Sequence, residues 1–428
     1  MRKMRDSGID WIGTIPQDWE IVRTKSLYCS AKEIAGDRAD DFERLALTLN
    51  GVIKRSKEDS VGLQPEKFSG YQILKKGELV FKLIDLENVA TSRVGLSPYT
   101  GIVSPAYIVL SKQSRAKDLV VRYSMYHFLS MWQREIFNQM GDNGVRSSLN
   151  AKELLNIPHP FPSIYEQKRI VTFLDAQCAE IDAVLEKTRA SIEEYKKLKQ
   201  AVITQAVTKG IRGDRPMKDS GIEWIGDIPA EWDVIRVKQL LKERNERSKE
   251  GKEEPLSMSQ KVGLVPTKFL ESIPNMASSF VGAKLAYVDD LVFNKLKAHL
   301  GVFSVSRYDG LVSPDYAVYC STGKSNLKYL EYIFKTPQCI GEFRKKSTGI
   351  AAGLMRLYTE GLFSIYLPYP ALSEQEEIAE YLNEKCADID ALIAKKQQYL
   401  TEIENYKKSL IYEYVTGKKE VKTSVLAD

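Results

Sequence analysis

The chain has 428 residues, 43% of them hydrophobic, enough for two or more domains with real cores. Lysine plus arginine number 62 against 57 aspartates and glutamates, a net charge of +5 and a pI near 8.6, which is compatible with a polyanionic partner without demanding one. Five cysteines with no CxxC spacing and only His127, His159 and His299 exclude a disulfide framework and a zinc-type ligand cluster; no apolar run reaches membrane-span length, and the opening MRKMRDSGIDW lacks a signal peptide's apolar core, so the expectation is a cytoplasmic protein with reduced thiols and no membrane partner.

The first segment, MRDSGIDWIGTIPQDWEIVRTKSL (residues 4–27), returns as MKDSGIEWIGDIPAEWDVIRVKQL (residues 217–240). Trp11 and Trp224, Pro16 and Pro229, and Trp19 and Trp232 all correspond at one offset (224 − 11 = 213). Large aromatics on a Gly/Pro-punctuated arm bury much area at little entropic cost, so each arm is expected to open a domain and pack against a long helix.

Behind each arm lies a region of partial matches. VGLQPEKF (61–68) answers VGLVPTKF (262–269), GELVFKL (77–83) answers DDLVFNKL (289–296), and GIVSPAYIVL (101–110) answers GLVSPDYAVY (310–319). These read as short strands and turns of a shared scaffold. The mismatched stretches between them, 50–59 against 246–252, 86–99 against 297–308 and 142–152 against 347–358, read as loops in which recognition varies. They carry the candidate binding cations: Lys54, Arg55, Arg93 and Arg146 in the first copy, Arg247, Lys297, Arg307 and Arg356 in the second. Arg93, Arg146, Lys297 and Arg356 rank first, because each lies in a mismatched loop beside matched scaffold.

From Ser163 onward, apolar positions including Leu174, Cys178, Ile181, Leu185 and Ile192 step by alternating four and three residues to Ala206, with no Pro or Gly inside. A period of 3.5 held this long predicts one helix with a single seam, started by a Ser163/Glu166 capping box, stopped at Gly210, and roughly 65 Å long. Its partner repeats the pattern 208 residues on (374 − 166 = 208), from Glu374-Gln375 through Leu382, Cys386, Ile389, Ile393 and Leu400. The architecture expected is therefore a duplicated α+β chain: two globular recognition domains joined by two long helices that pair antiparallel as a coiled coil with pseudo-two-fold symmetry. The expected boundaries are domain 1 with its arm at 1–162, helix 1 at 163–210, domain 2 with its arm at 211–370, helix 2 at 371–418 and a flexible tail at 419–428. In that arrangement Cys178 and Cys386 are core fillers, not a disulfide.

The order of a DSGI(D/E)WIGxIPxxW arm, a variable domain ending in a Pro-rich strand (IPHPFP, 157–162; YLPYP, 366–370), an EQxxI helix start and an IDA coiled coil, all occurring twice, resembles the specificity subunit of type I restriction-modification systems over nearly the whole chain. The resemblance implies a non-catalytic, sequence-specific DNA-binding subunit whose two domains each read half of an asymmetric, split site on double-stranded DNA. It further implies that the helices act as spacer and as holder of two modification (adenine methyltransferase) subunits and of restriction (translocase and nuclease) subunits. S-adenosylmethionine, ATP and Mg2+ would then sit on those partners, with no cofactor or metal bound here directly.

The chemistry inventory agrees with a binding role. Ser104-Pro105-Ala106-Tyr107 and Ser313-Pro314-Asp315-Tyr316 resemble an adenine-methyltransferase (D/N)PP(Y/F) motif only superficially, and read instead as a β-turn leading into a buried strand tyrosine. Thr322-Gly323-Lys324-Ser325 lacks the first glycine of a phosphate loop and reads as a solvated basic turn. A methyltransferase and a purely structural coiled-coil scaffold stand as the competing classes. The first lacks its cofactor loop, and the second leaves the duplicated domains unexplained.

Overall fold

The computed structural model describes residues 2–49, 51–59, 67–84, 86, 93–140, 148–260, 262–270, 280–349 and 355–421. Two compact units emerge, one formed by Met1–Arg189 with Gln398–Asp428 and the other by Ala190–Gln397. Their boundaries cut both long helices, Ile164–Lys209 and Leu372–Val415, near the middle, so each unit owns half of each helix.

In unit 1 the arm folds as the strand pair Met4–Asp6 and Thr14–Pro16, with Met4 opposite Pro16; in unit 2, Met217–Asp219 and Asp227–Pro229 pair in the same register. The strand that follows each arm closes its domain by pairing with the Pro-rich segment: Glu20–Arg23 with Pro158–Phe161, and Asp233–Arg236 with Tyr366–Tyr369. Between these closures lies a double layer of short strands. In unit 1 one sheet runs Tyr28–Cys29, Ile108–Lys112, Leu79–Lys82, Arg93–Leu96, and the other runs Gly51–Arg55, Arg44–Thr48, Gly101–Val103, Gln72–Leu74. Unit 2 repeats the first sheet with Leu241–Arg244, Tyr316–Ser321, Leu291–Asn294 and Phe303–Val305, and the second as the hairpin Leu256–Ser259/Gly263–Pro266 beside the pair Lys284–Ala286/Gly310–Val312.

The uninterrupted apolar LVF runs follow from this layering, since a strand's side chains alternate between two buried faces. Leu79 and Phe81 face the helical core with Phe128 and Leu154, whereas Val80 faces the second sheet with Leu45, Leu47 and Val103. Leu291 and Phe293 likewise join the helical core of unit 2, and Val292 joins Leu256, Leu264 and Val312.

Every seam residue is at least partly withdrawn from solvent: Leu174, Leu185, Ile192, Leu382 and Ile389 are buried, and Ile181, Ile393 and Leu400 half-buried. Within each unit the helix halves run antiparallel. In unit 1 Lys407 binds Asp182 at 2.6 Å and Arg189 binds Glu404 at 2.6 Å, and in unit 2 Lys199 binds Asp390 at 2.6 Å. Cys178 and Cys386 are free thiols in their respective cores. Gly210, at φ +76°, ends the first helix as expected of a left-handed cap residue.

Three expectations need correction. The Ser163 hydroxyl does accept the Glu166 N–H at 3.4 Å, but the Glu166 carboxylate turns away from a capping box to accept the Trp19 indole N–H at 2.9 Å. The tyrosines of the two SPxY turns are half-buried, not buried. Of the pairing of VGLQPEKF with VGLVPTKF, residues 61–66 lie outside the described residues, and the described copy, 262–269, takes another counterpart. Strand register (Thr48 opposite Gly51, Ser259 opposite Gly263) equates Gly263–Pro266 with Gly51–Arg55, and the equivalent turns Phe68 to Tyr71 and Phe280 to Ala283 (N–H to carbonyl, 2.9 and 3.0 Å) show what truly answers Phe68. The mismatched loop 50–59 therefore corresponds to the hairpin around 260–262 and not to 246–252.

Candidate nucleic-acid interface

Each unit gathers its unequal loops at one end of the strand layers. In unit 2, Asn294 lies opposite Tyr316, which sets the connection after Asn294 beside the Ser313–Asp315 turn. Leu357 N–H donates to the Lys295 carbonyl at 3.0 Å, and Thr348 pairs with Arg356, so the chain before the second long helix arrives at the same end. The hairpin tip joins them through Gln260, whose amide donates to the Leu300 carbonyl at 3.3 Å. Unit 1 is built alike. Phe81 opposite Ile108 brings Lys82 next to the Ser104–Ala106 turn, Leu149 N–H donates to the Leu83 carbonyl at 3.1 Å, and the parallel bridge Ile102–Arg44 carries the Thr48 end of its strand alongside.

The SPxY turns are anchors of this end. Both close by the expected β-turn hydrogen bond, Tyr107 N–H to Ser104 carbonyl at 3.1 Å and Tyr316 N–H to Ser313 carbonyl at 2.9 Å. Each proline carbonyl also accepts a lysine ammonium, from Lys32 at 2.8 Å and Lys295 at 3.1 Å. The Tyr316 hydroxyl is committed to the Met258 N–H at 3.2 Å, inside the sheet. Thr322 to Ser325, the former phosphate-loop candidate, is a tie as much as a turn: Lys324's carbonyl accepts the Tyr369 hydroxyl at 3.1 Å, and Ser325 is buried.

The eight candidate cations divide between the two ends. At the loop end of unit 2, Lys297 is exposed and Arg356 sits 3.3 Å from Asp315, the residue where unit 1 has Ala106. Arg247 bridges to Lys284, itself opposite Val312 just before the Ser313–Asp315 turn, and so belongs to the loop end, whereas Arg307, which follows the strand Phe303–Val305, lies at the opposite end. In unit 1, Arg93 is opposite Lys82 at the loop end, its guanidinium 5.8 Å from the Trp132 ring and its pKa lowered by burial. Lys54 and Arg55 lie at the base of the hairpin, opposite Leu45 and Arg44, bound to Glu43 at 2.6 Å and Asp59 at 2.7 Å, and these hydrogen-bonded carboxylates raise both pKa values. Arg146 lies outside the described residues.

What the sequence reading missed is how the EQ pairs work. Gln167 and Gln375, both fully buried, clip the helix start to the domain: Gln167 accepts Val120 N–H at 2.9 Å and donates to the Pro162 carbonyl at 2.9 Å, while Gln375 accepts Asn326 N–H at 2.9 Å and donates to the Pro370 carbonyl at 3.0 Å. Glu374 accepts the Trp232 indole N–H at 2.9 Å and pairs with Arg215 at 2.7 Å, as Glu166 does with Trp19 and Arg2. Arg2 and Arg215 stand at the arm offset, so the repeat extends upstream of Met4, and that offset was the available signal.

No family model matches the chain. It is 24% identical to the type I restriction enzyme MjaVIII specificity subunit of Methanocaldococcus jannaschii, over 95% of this chain and 94% of that protein. The putative type I restriction enzyme MjaX specificity subunit of the same organism is 25% identical, over 96% of each. The chain is similar to type I restriction specificity subunits along nearly its whole length. Its fold agrees: a chain from a structural study of complex assembly and conformational transition in a type I restriction-modification system superposes with a TM-score of 0.69 at 13% identity, covering 95% of this chain and 99% of that one. In this chain, the two loop ends are the surfaces that differ between otherwise equivalent units.

Proposed function

We propose that this chain is the DNA-recognition subunit of a type I restriction-modification complex, reading an asymmetric, bipartite site on double-stranded DNA and directing methyltransferase and restriction subunits to it. The reading is carried by one observation: two copies of a single scaffold gather different loops at the same end. A scaffold duplicated with identical loops would read a symmetric site. Unequal loops read two different half-sites.

In this reading the chain is non-catalytic and works in the cytoplasm. Two modification subunits and the restriction subunits assemble on it, and those partners carry S-adenosylmethionine, ATP and Mg2+. Its own contribution is binding, in which lysines and arginines hold phosphates and a smaller set of side chains meets base edges in the grooves.

The two ends of unit 2 supply the test. Arg356→Ala, at the loop end, should weaken binding of the assembled complex to its site by about 1–3 kcal/mol and relax one half-site. Arg307→Ala, at the far end, should stay within about 0.5 kcal/mol. Equilibrium titration of labelled duplex reads both. The reverse pattern would assign the interface to the wrong end.

A further inference from the structure

The hairpin tips at the loop ends break the usual composition of a turn. Thr48 pairs with Gly51 and Ser259 with Gly263, and both glycines have positive φ (+91° and +77°), the conformation a tight reversal requires. Between such paired residues polar side chains are the rule, yet Leu49 is 69% exposed and Val262 65%. Each unit thus places one apolar side chain on its tip, on opposite sides of the turn, Leu49 directly after Thr48 and Val262 directly before Gly263. In unit 2 the tip is ringed by cations: Gln260 ties it to the loop of Lys297 and Leu300, the latter 50% exposed, and Lys295 and Arg356 lie on the same end. In unit 1, Leu49 also overhangs a cleft of about 830 Å³ whose opposite wall includes Asp175, Asp182 and Glu186, with Asp175 paired to Arg122 and Asp182 to Lys407. The cleft side of the tip faces the unit's own helices, so the tip's outward side is the one free to meet a duplex.

The dimensions fit. Two paired strands about 4.8 Å apart with their side chains form a ribbon of roughly 10 Å, and the major groove, about 12 Å wide, admits such a ribbon. Cations beside an apolar tip match what the groove presents, phosphates along its walls and the thymine 5-methyl on its floor.

We propose that the turn of each hairpin enters the major groove and that Leu49 in unit 1 and Val262 in unit 2 each fix one base of a half-site by apolar contact with a thymine methyl. This rests on the DNA-recognition reading above and adds to it the residues and the base.

The test uses the full chain assembled with its modification subunits and the duplex that the wild type selects. Replacing one thymine of the unit 2 half-site by deoxyuridine, which lacks only the methyl, should weaken wild-type binding about fourfold, the equivalent of roughly 0.8 kcal/mol for one buried carbon. Val262→Ser should lose a similar factor on the thymine duplex and be indifferent to deoxyuridine, with sensitivity in the other half-site intact; Leu49→Ser should show the converse. Both side chains are exposed, so folding should survive, as an unchanged melting temperature would show. The proposal is overturned if no thymine in either half-site is methyl-sensitive, if the serine variants keep wild-type sensitivity, or if they lose partner subunits instead, which would make the tips protein-docking elements. A wild type that selects no split sequence at all would instead bring down the DNA-recognition reading itself.

Discussion

His127 and His159 sit in the core of unit 1 with ring centroids 4.5 Å apart, close against Trp11, Tyr123 and Phe128. Burial lowers both pKa values, that of His159 from 6.5 to about 4, and the neighbouring imidazole lowers His127 further. His159 is held by the Ser124 hydroxyl at 2.9 Å and the Pro160 carbonyl at 2.7 Å. Both rings are therefore neutral in the fold, and the unfolded chain binds protons that the folded chain refuses. Stability is full above pH 6.5 and is lost as pH falls toward about 4. The shift of His159 alone corresponds to about 3 kcal/mol. Unit 2 places Ile333 and Leu367 at the equivalent positions, identified by Tyr123 and Tyr329, whose hydroxyls each reach a proline carbonyl of the closing strand (Pro160, Pro368). The double variant His127→Ile/His159→Leu should accordingly show a much flatter stability between pH 6.5 and 4 than the wild type, read from urea midpoints. Equal slopes in the two proteins would mean that other groups govern the acid limb.

At the level of elements, the aspartates of the two IDA motifs, Asp182 and Asp390, acquire a reason. Each meets the lysine of the opposite helix half, Lys407 or Lys199, at 2.6 Å, and one register of an antiparallel pair satisfies both. The pairs are largely solvent-exposed, so each contributes only about 0.2–1 kcal/mol. Asp182→Lys should destabilise by that order and Lys407→Asp added to it should restore the loss, a coupling that a double-mutant cycle on thermal melts resolves. Absence of coupling would show that the apolar seam alone fixes register. This seam was legible in the sequence because a 3.5-residue period survives without any tertiary knowledge. The arms were legible for the same kind of reason, their tryptophans being repeated letter for letter. The recognition layer was less so. Its strands are two to six residues long, and only the pairing of Thr48 and Ser259 with Gly51 and Gly263 exposes the correspondence of these two glycines. The cations were found by type, but not by place: Arg307 is at the far end, and Lys54 and Arg55 are at the base of their hairpin, because a loop's composition does not say which end of a strand it follows.

For the whole molecule, the duplication is what ties form to function. Two units share arm, closing strand, buried glutamine clip and strand order, so selection on the scaffold has kept the copies alike, while the loop ends differ in length and charge. Unit 2 has Lys297 and Arg356 with Asp315 where unit 1 has Arg93 with Trp132, and two such surfaces have no reason to prefer the same bases. The most direct measurement is selection from a random duplex library by the full chain assembled with its modification subunits. The account predicts recovery of two short, different sequence blocks at a fixed separation with unread bases between them. A palindromic sequence, a single block, or no enrichment over the input library would contradict it.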